Sequence, residues 1–104
     1  MGDEGDDLRK LMDLLSSRVL SNSARLGILI ALYYEKRMKF SELLEFSSLP
    51  KSSLSFHLGV LEEEGLVKVQ KVVTINGVRT EVTITDKGRE VVRKFLMYVR
   101  GLRE

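Results

Sequence analysis

Residues 49–67 have the sequence LPKSSLSFHLGVLEEEGLV, in which Leu54, Leu58 and Leu61 recur at helical spacing and form one apolar stripe. The opposite side of this helix is small, rich in hydroxyl groups and almost uncharged. It contains Ser52, Ser55, Phe56 and Gly59, while the acidic residues are held back to positions 62–64. Because a helix N-terminus carries partial positive charge, this arrangement favours a helix that enters the major groove of DNA with its N-terminus first.

Pro50 and Gly65 set the ends of this helix. Pro50 disfavours helical angles at Leu49 and is tolerated at a first helical position, and Gly65 suits the residue after a helix C-terminus. We therefore predict a helix over about residues 50–64. Beyond it, apolar and polar residues alternate over residues 67–84, which predicts a β-hairpin. Asn76-Gly77 within this segment is typical of a two-residue type I′ turn.

Apolar residues at helical spacing predict four further helices, at about residues 8–20, 23–35, 42–46 and 86–101. Ser41 and Thr85 are the predicted N-caps of the last two, and Phe46 is expected to point inward. Residues 1–7 contain two glycines and four acids with almost nothing to bury, so we predict a disordered acidic N-terminus. Residues 8–104 then form a single domain, mainly α with a small antiparallel β-hairpin, in the order four helices, two strands and a final helix.

This combination of motifs resembles winged helix-turn-helix transcriptional regulators of the ArsR and MarR kind, and most of all their short stand-alone variants. The resemblance is carried by LSNSARL at residues 20–26, by LSFHL at 54–58 with EGLV at 64–67, and by ITDKGR at 84–89. It implies a winged helix fold in which residues 50–64 are the recognition helix and residues 67–84 are the wing, which lies against the DNA backbone or minor groove. It also implies a very short strand at residues 38–40 and terminal helices that pair across a two-fold axis.

Composition narrows the classes of function. The chain has 104 residues, no cysteine and one histidine, which excludes disulfides and thiolate metal sites, including the cysteine site on the helix before the recognition helix that is best known in the family. The formal net charge is +2, but setting aside the four acids of the first seven residues leaves +6 for residues 8–104. A basic body favours a polyanionic partner, although charged surfaces also serve solubility or reflect a thermophilic source. We expect no membrane span and a cytoplasmic location.

The first candidates for DNA binding occupy the first two turns of the recognition helix, at positions that match the family's groove-facing residues. They are Lys51, Ser52, Ser53, Ser55, Phe56 and His57. Serine hydroxyls contact phosphates or bases, and a phenylalanine edge packs on a thymine methyl group. Many relatives carry a longer polar side chain at the position of Phe56, and the alternative is that this ring packs on a neighbouring helix. For His57, a partly buried hydrogen bond to another helix or to phosphate is a better interpretation than metal binding.

In the wing, the candidates are Lys71, Asn76, Gly77 and Arg79. We expect Arg79 to enter a minor groove and the others to meet phosphates, the alternative being a solvated hairpin tip. Weaker phosphate candidates are Arg25, Lys68, Lys87 and Arg89.

The last helix carries more apolar residues than one contact within a small domain needs, which indicates a subunit interface, and the resemblance implies that the terminal helices form it. The predicted dimer contacts are Leu11, Leu15, Val92, Phe95, Leu96, Tyr98, Val99 and Leu102, and which terminal helix forms the interface is left open. Tyr33 and Tyr34, with Phe95 and Tyr98, line either this interface or an effector pocket. Aromatic residues at helical spacing more often pack in a core, so a small-molecule effector has no support from the sequence.

These observations predict a homodimeric, sequence-specific transcriptional regulator that binds double-stranded DNA, without a cofactor or a metal ion. No nucleophile and base pair, carboxylate dyad or phosphate-binding glycine loop stands out, so we expect no catalysis. The alternative is a winged-helix module for protein interaction in a transcription or RNA-handling assembly. The nearly uncharged groove face and the small net charge favour that alternative.

Overall fold

The computed structural model describes residues 3–102. Along the chain, its elements are α1 (Asp3–Leu15), α2 (Ser23–Glu35), β1 (Arg37–Lys39), α3 (Phe40–Ser47), α4 (Lys51–Glu63), β2 (Val67–Thr74), β3 (Gly77–Ile84) and α5 (Asp86–Arg100). The strands form one antiparallel sheet in the order β1-β3-β2. Five helices and a small antiparallel sheet in this order are a winged helix fold, which confirms the predicted fold class. The short strand implied at residues 38–40 is β1.

The core lies where α2, α3, α4 and α5 meet the inner face of the sheet. The predicted stripe of α4 is confirmed, because Leu54 and Leu61 are fully buried and Leu58 is nearly so. The largest fully buried side chains are Ile28, Leu29, Leu32, Leu43, Leu54, Leu61, Val82 and Val92. The apolar side of α4 therefore packs on the core, and its hydroxyl-rich side is exposed to solvent.

Local hydrogen bonds and one glycine explain where three of the helices begin or end. Asn22 caps α2 by accepting from the backbone N–H of Ala24 at 2.9 Å and of Arg25 at 3.2 Å. Thr85 caps α5, as predicted, by accepting from the Gly88 N–H at 3.0 Å. Gly65 ends α4 with a φ of +77°, which is the left-handed conformation predicted for it.

The first helix is displaced toward the N-terminus relative to its prediction. It begins at Asp3 and ends at Leu15, so residues 3–7 are helical and the prediction of disorder is wrong for them. Met1 and Gly2 lie outside the described residues. Acids are favourable in a first helical turn, and Asp7 packs against Gly101 at the far end of α5. The helix ends early because the Ser17 hydroxyl accepts from the Leu20 N–H at 3.2 Å and stabilises a turn.

The third helix also differs from its prediction. It begins at Phe40 rather than Glu42, and the residue before it is Lys39 rather than Ser41. Glu42 stabilises this start by accepting from the Lys39 N–H at 2.8 Å. Phe46 does not point inward, since it lies in the last turn at the edge of the core and is 57% exposed.

The hairpin has the predicted strands but a different turn. Thr74 pairs with Gly77, so the connecting residues are Ile75 and Asn76. A type I′ turn needs positive φ at both central residues, and among the described hairpin residues only Gly77 has one, at +114°. The predicted type I′ turn at Asn76-Gly77 is therefore wrong. A β-branched residue such as Ile75 disfavours positive φ, and Gly77, two positions later, takes that conformation.

Candidate nucleic-acid interface

The solvent side of α4 carries the residues that the sequence placed there. Lys51, Ser52, Ser55, Phe56 and Gly59 are exposed, and Ser53 and His57 are half-buried at its margin. Phe56 is 64% exposed and touches the His57 ring edge-on, with ring centroids 5.7 Å apart. It does not pack on a neighbouring helix, so the alternative offered for it does not hold. The side presented to solvent combines hydroxyl groups, one lysine and one projecting aromatic ring.

Charge is distributed unevenly along α4. Its first turn contains no acidic residue, and no side chain caps its N-terminus, so the first backbone N–H groups are available to an anion. The acids at the other end are engaged within the domain. Glu62 accepts from the Val69 N–H at 2.9 Å, and Arg18 lies 3.7 Å from Glu63 and 3.4 Å from Glu64. The end of the helix suited to phosphate is thus the end free of negative charge.

A cleft of about 420 Å³ separates α4 from the wing. Lys51 and Ser55 line it from the helix, and Lys71 and Thr80 line it from the sheet. The floor is closed by Leu58 and Val69, and Glu62 contributes one carboxylate whose oxygen already accepts from Val69. A cleft lined by a lysine from the helix, a lysine from the sheet and hydroxyl groups suits a sugar-phosphate strand.

The two faces of the wing have different roles because side chains alternate along a strand. The face toward α4 carries the pairs Val67 and Ile84, Val69 and Val82, Lys71 and Thr80, and Val73 and Val78. Arg79 belongs to the other face, where its Nε and Nη2 donate to Glu81 at 2.8 Å and 2.7 Å. The structure therefore brings Lys71, but not Arg79, to the recognition helix.

The tip of the wing is apolar, which the sequence reasoning missed. Ile75 is fully exposed, Val73 is 82% exposed and Val78 is 63% exposed. Asn76 and Gly77 are exposed beside them. The signal was present in the sequence, since the alternating apolar pattern continues to the turn although no second layer remains to cover it.

Among the residues whose burial the structure describes, 5–102, Arg25 is the buried charged residue. The sequence did not predict this structural role. Arg25 is 9% exposed. Its Nε donates to Val19 O at 2.9 Å and its Nη2 to Arg18 O at 3.1 Å, while its Nη1 lies 3.0 Å from His57 Nδ1. Burial and then the Arg25 charge lower the pKa of His57 from its usual value of 6.5. Arg25 thus joins the turn before α2 to the recognition helix and is not the phosphate contact suggested for it.

Two of the other three secondary candidates make contacts within the domain. Lys87 Nζ donates to Glu64 O at 2.9 Å, and Arg89 pairs with Asp86 at 2.6 Å. Lys68 is exposed on the wing face away from α4.

Comparison with known proteins identifies the family. The model of the family described as "Winged helix DNA-binding domain" matches residues 24–104. The chain belongs to this family. It is 33% identical to an uncharacterized protein of Methanocaldococcus jannaschii over 82% of this chain and 92% of the relative.

Solved structures agree with this assignment. A transcriptional regulator homologue from Pyrococcus horikoshii is 37% identical, with a TM-score of 0.79 over 88% of this chain and 91% of that one. A MarR family regulator from Silicibacter pomeroyi is 27% identical, with a TM-score of 0.63 over 96% of this chain and 64% of that one. The protein is a winged-helix, DNA-binding transcriptional regulator, which is a non-enzymatic class.

The terminal helices of this winged-helix regulator pack antiparallel, since Asp7 of α1 contacts Gly101 after α5, and Leu14 and Val91 line a common pocket. Outside that contact, Leu8, Met12, Met97 and Val99 are between 41% and 58% exposed. Of the predicted dimer residues, six are half-buried: Leu11, Leu15, Phe95, Leu96, Tyr98 and Leu102. Val92 is fully buried in the core of the protomer, so its prediction as a dimer contact is wrong.

The aromatic residues considered for an effector pocket do not form one group. Tyr33 and Tyr34 contact each other edge-on at 5.2 Å, and among the described residues no ring contact joins them to Phe95 or Tyr98. Tyr34 instead borders a cleft of about 440 Å³ beside Met38 and Phe46. Within residues 3–102, no cluster of three or more His, Cys, Asp or Glu side chains suits a metal ion. None of the described helices is long and apolar enough to cross a membrane.

Proposed function

We propose that this regulator is a homodimer that binds specific double-stranded DNA sequences, with α4 in the major groove and the wing on the adjacent backbone or minor groove. The observation that carries the proposal is the cleft between α4 and the wing. Lys51 lines it from α4 and Lys71 lines it from the wing, together with Ser55 of the hydroxyl-rich side of α4. A groove with this lining fits one phosphate strand while the helix reaches the bases.

The residues divide into two sets under this proposal. Ser52, Ser55 and Phe56 contact base edges, because they lie on the exposed side of the first two turns of α4. Lys51, Ser53, Lys71, Asn76 and Gly77 contact phosphates. Arg79 contributes less than the sequence suggested, since Glu81 offsets its charge. The apolar tip formed by Val73, Ile75 and Val78 lies against the sugar walls of the minor groove, where apolar side chains are favourable.

Dimerisation is supported by the exposed apolar residues of α1 and α5. These helices already pack on each other, so their outer apolar side chains form one continuous surface that a second copy buries. A two-fold dimer presents two copies of α4 to half-sites about one helical turn, roughly 34 Å, apart. Since its ligand is chromosomal DNA, we place the regulator in the cytoplasm.

Selection of binding sites from a pool of random duplexes tests this proposal. We expect enrichment of a two-fold symmetric motif whose half-site centres are about 10–10.5 base pairs apart. Repeating the selection with Phe56→Ala should shift the preferred bases within each half-site while leaving the spacing unchanged. Failure of the wild-type protein to enrich any motif would overturn the proposal and favour a module for protein interaction.

A further inference from the structure

His57 is the single histidine of the chain, and its ring is held in a defined hydrogen-bonding state. Its Nδ1 lies 3.0 Å from Arg25 Nη1. A guanidinium group only donates hydrogen bonds, so Nδ1 must accept and cannot carry a proton. In the neutral ring the proton is therefore on Nε2.

Arg25 has little freedom to move away from this contact. It is 9% exposed, and its Nε and Nη2 are fixed by the carbonyl oxygens of Val19 and Arg18. A buried guanidinium that loses a partner leaves a donor unsatisfied, which is costly. The tautomer of His57 is thus set by a group anchored outside the recognition helix.

The other ring nitrogen faces outward. His57 is half-buried, and its Nε2 has no hydrogen-bond partner among residues 3–102. In this part of the chain every buried side-chain nitrogen and oxygen has a hydrogen-bond partner. Because Nε2 has none, it is not buried and is open to solvent. The ring lies at the margin of the exposed side of α4, in edge contact with Phe56.

We propose that Arg25 is a positioning residue that holds His57 in the Nε2–H tautomer, and that His57 thereby offers DNA a neutral hydrogen-bond donor. This inference rests on the proposed binding of DNA by α4. The donor fits a hydrogen-bond acceptor, which DNA supplies as a phosphate oxygen or as a purine N7. Since His57 is neutral, the contact adds no counterion release and leaves the salt dependence of binding unchanged.

The tautomer is tested first on the free protein. Two-dimensional NMR correlation of the ring carbon-bound protons with ¹⁵N is unambiguous because there is one histidine. At a pH above the titration of His57 we expect Nε2 to be protonated and Nδ1 to be unprotonated. A ring with Nδ1 protonated, or an even mixture of tautomers, would overturn the inference whether or not the protein binds DNA. Arg25→Met should shift the ring toward a mixture; if this variant does not fold, the wild-type spectrum still decides.

The donor is tested by affinity for the selected duplex. Gln at position 57 keeps an N–H near the place of Nε2, whereas Leu has a similar volume and no donor. We expect His57→Gln to stay within about 3-fold of wild type and His57→Leu to lose about 10-fold, as for one hydrogen bond. The salt slope should be the same in all three proteins. Equal affinities of wild type and His57→Leu, with both folded, would contradict the inference while leaving the proposed function intact.

Modified duplexes separate the two sources of the acceptor. Methylphosphonate substitution removes a charged phosphate oxygen, and 7-deazapurine removes N7. At the contacted position the wild-type protein should lose affinity with one of these modifications, and His57→Leu should show no further loss there. Loss with both proteins at every position would contradict a contact made by His57. Absence of binding to any duplex would instead count against the proposed function, with the NMR result unaffected.

Discussion

Arg79 lies beside Glu81 on the face of the wing that is turned away from the recognition helix, with its Nε 2.8 Å from the carboxylate. Lys71 occupies the opposite face and lines the cleft beside α4. We therefore expect Lys71→Ala to weaken binding to selected and random duplexes by similar factors. The slope of log affinity against log salt should fall by about one, because one phosphate contact is lost.

Arg79→Ala is the matched control for Lys71→Ala, since it removes one positive charge from the same hairpin. Its effect on affinity and on the salt slope should be clearly smaller, because Glu81 already offsets that charge. Fluorescence anisotropy over a salt series measures both quantities. A larger loss for Arg79→Ala would show that the wing meets DNA with its other face.

Gly88 is expected to be essential for stability rather than for DNA binding. A Cβ at this position would lie 2.2 Å from the backbone oxygen of Leu66 and 2.8 Å from the Ile84 side chain. Because backbone cannot yield as a flexible side chain does, Gly88→Ala should lower the free energy of unfolding by about 1–3 kcal/mol. Urea unfolding followed by circular dichroism checks this value.

The control for Gly88→Ala is Gly27→Ala in α2, where an added Cβ meets no atom within 4 Å. That variant should be unchanged or more stable by up to about 1 kcal/mol, as alanine favours a helix. Equal destabilisation of both variants would show that close approach to Leu66 is not the cause.

Stability should depend on pH through His57. The folded protein holds this ring neutral, since burial and Arg25 lower its pKa below the usual 6.5. Below that value the unfolded chain therefore binds more protons than the folded one. The contribution of His57 to stability is thus complete above pH 6.5 and is lost as the pH falls through the lowered pKa.

The comparison of wild type with His57→Gln isolates this effect from the carboxylates. As the pH falls from 7.5 to 5.5, we expect the free energy of unfolding to decrease more for the wild type than for His57→Gln. Urea titrations at intervals of half a pH unit would measure it. A difference that stays constant over this range would contradict the coupling between His57 and Arg25.

The outer apolar surface of α1 and α5 is expected to hold the dimer together. Met12→Glu combined with Val99→Glu places charges on two side chains that are 58% and 41% exposed in the protomer. Sedimentation velocity should show a dimer for wild type and a folded monomer for this variant. Tyr34→Glu, which alters a 65% exposed residue near a different cleft, should leave the dimer intact. Dissociation by Tyr34→Glu alone would move the interface to α2.

The sequence predicted those parts of the fold that depend on local periodicity and caps. Leu54, Leu58 and Leu61 identified α4, and Thr85 marked the start of α5, because both signals act over a few residues. The turn of the wing was mispredicted. The preference of Asn-Gly for a type I′ turn placed it at residues 76–77, whereas the register of the paired strands places it at residues 75–76. Likewise, Val92 looked like one of several outward apolar residues of α5, and its burial depends on packing against elements far away in sequence.

The sequence predicted which residues of α4 belong to the candidate site, but not the ion pairs and hydrogen bonds that the charged residues around it make. The exposed residues of α4 could be assigned from helical spacing alone. The pairing of Arg79 with Glu81 depends on side-chain conformation, and the role of Arg25 depends on carbonyl groups in the turn before α2. No pattern in the sequence reports contacts of that kind.

The most direct test of the account is the affinity of the full chain for a selected duplex and for a random duplex of the same length, measured by fluorescence anisotropy over a salt series. We expect binding to the selected duplex at least about 10³-fold tighter than to random DNA, with affinity falling steeply as salt rises. Weak binding that is equal for the two duplexes would contradict a sequence-specific regulator and would favour a partner protein on the exposed Phe56 face of α4.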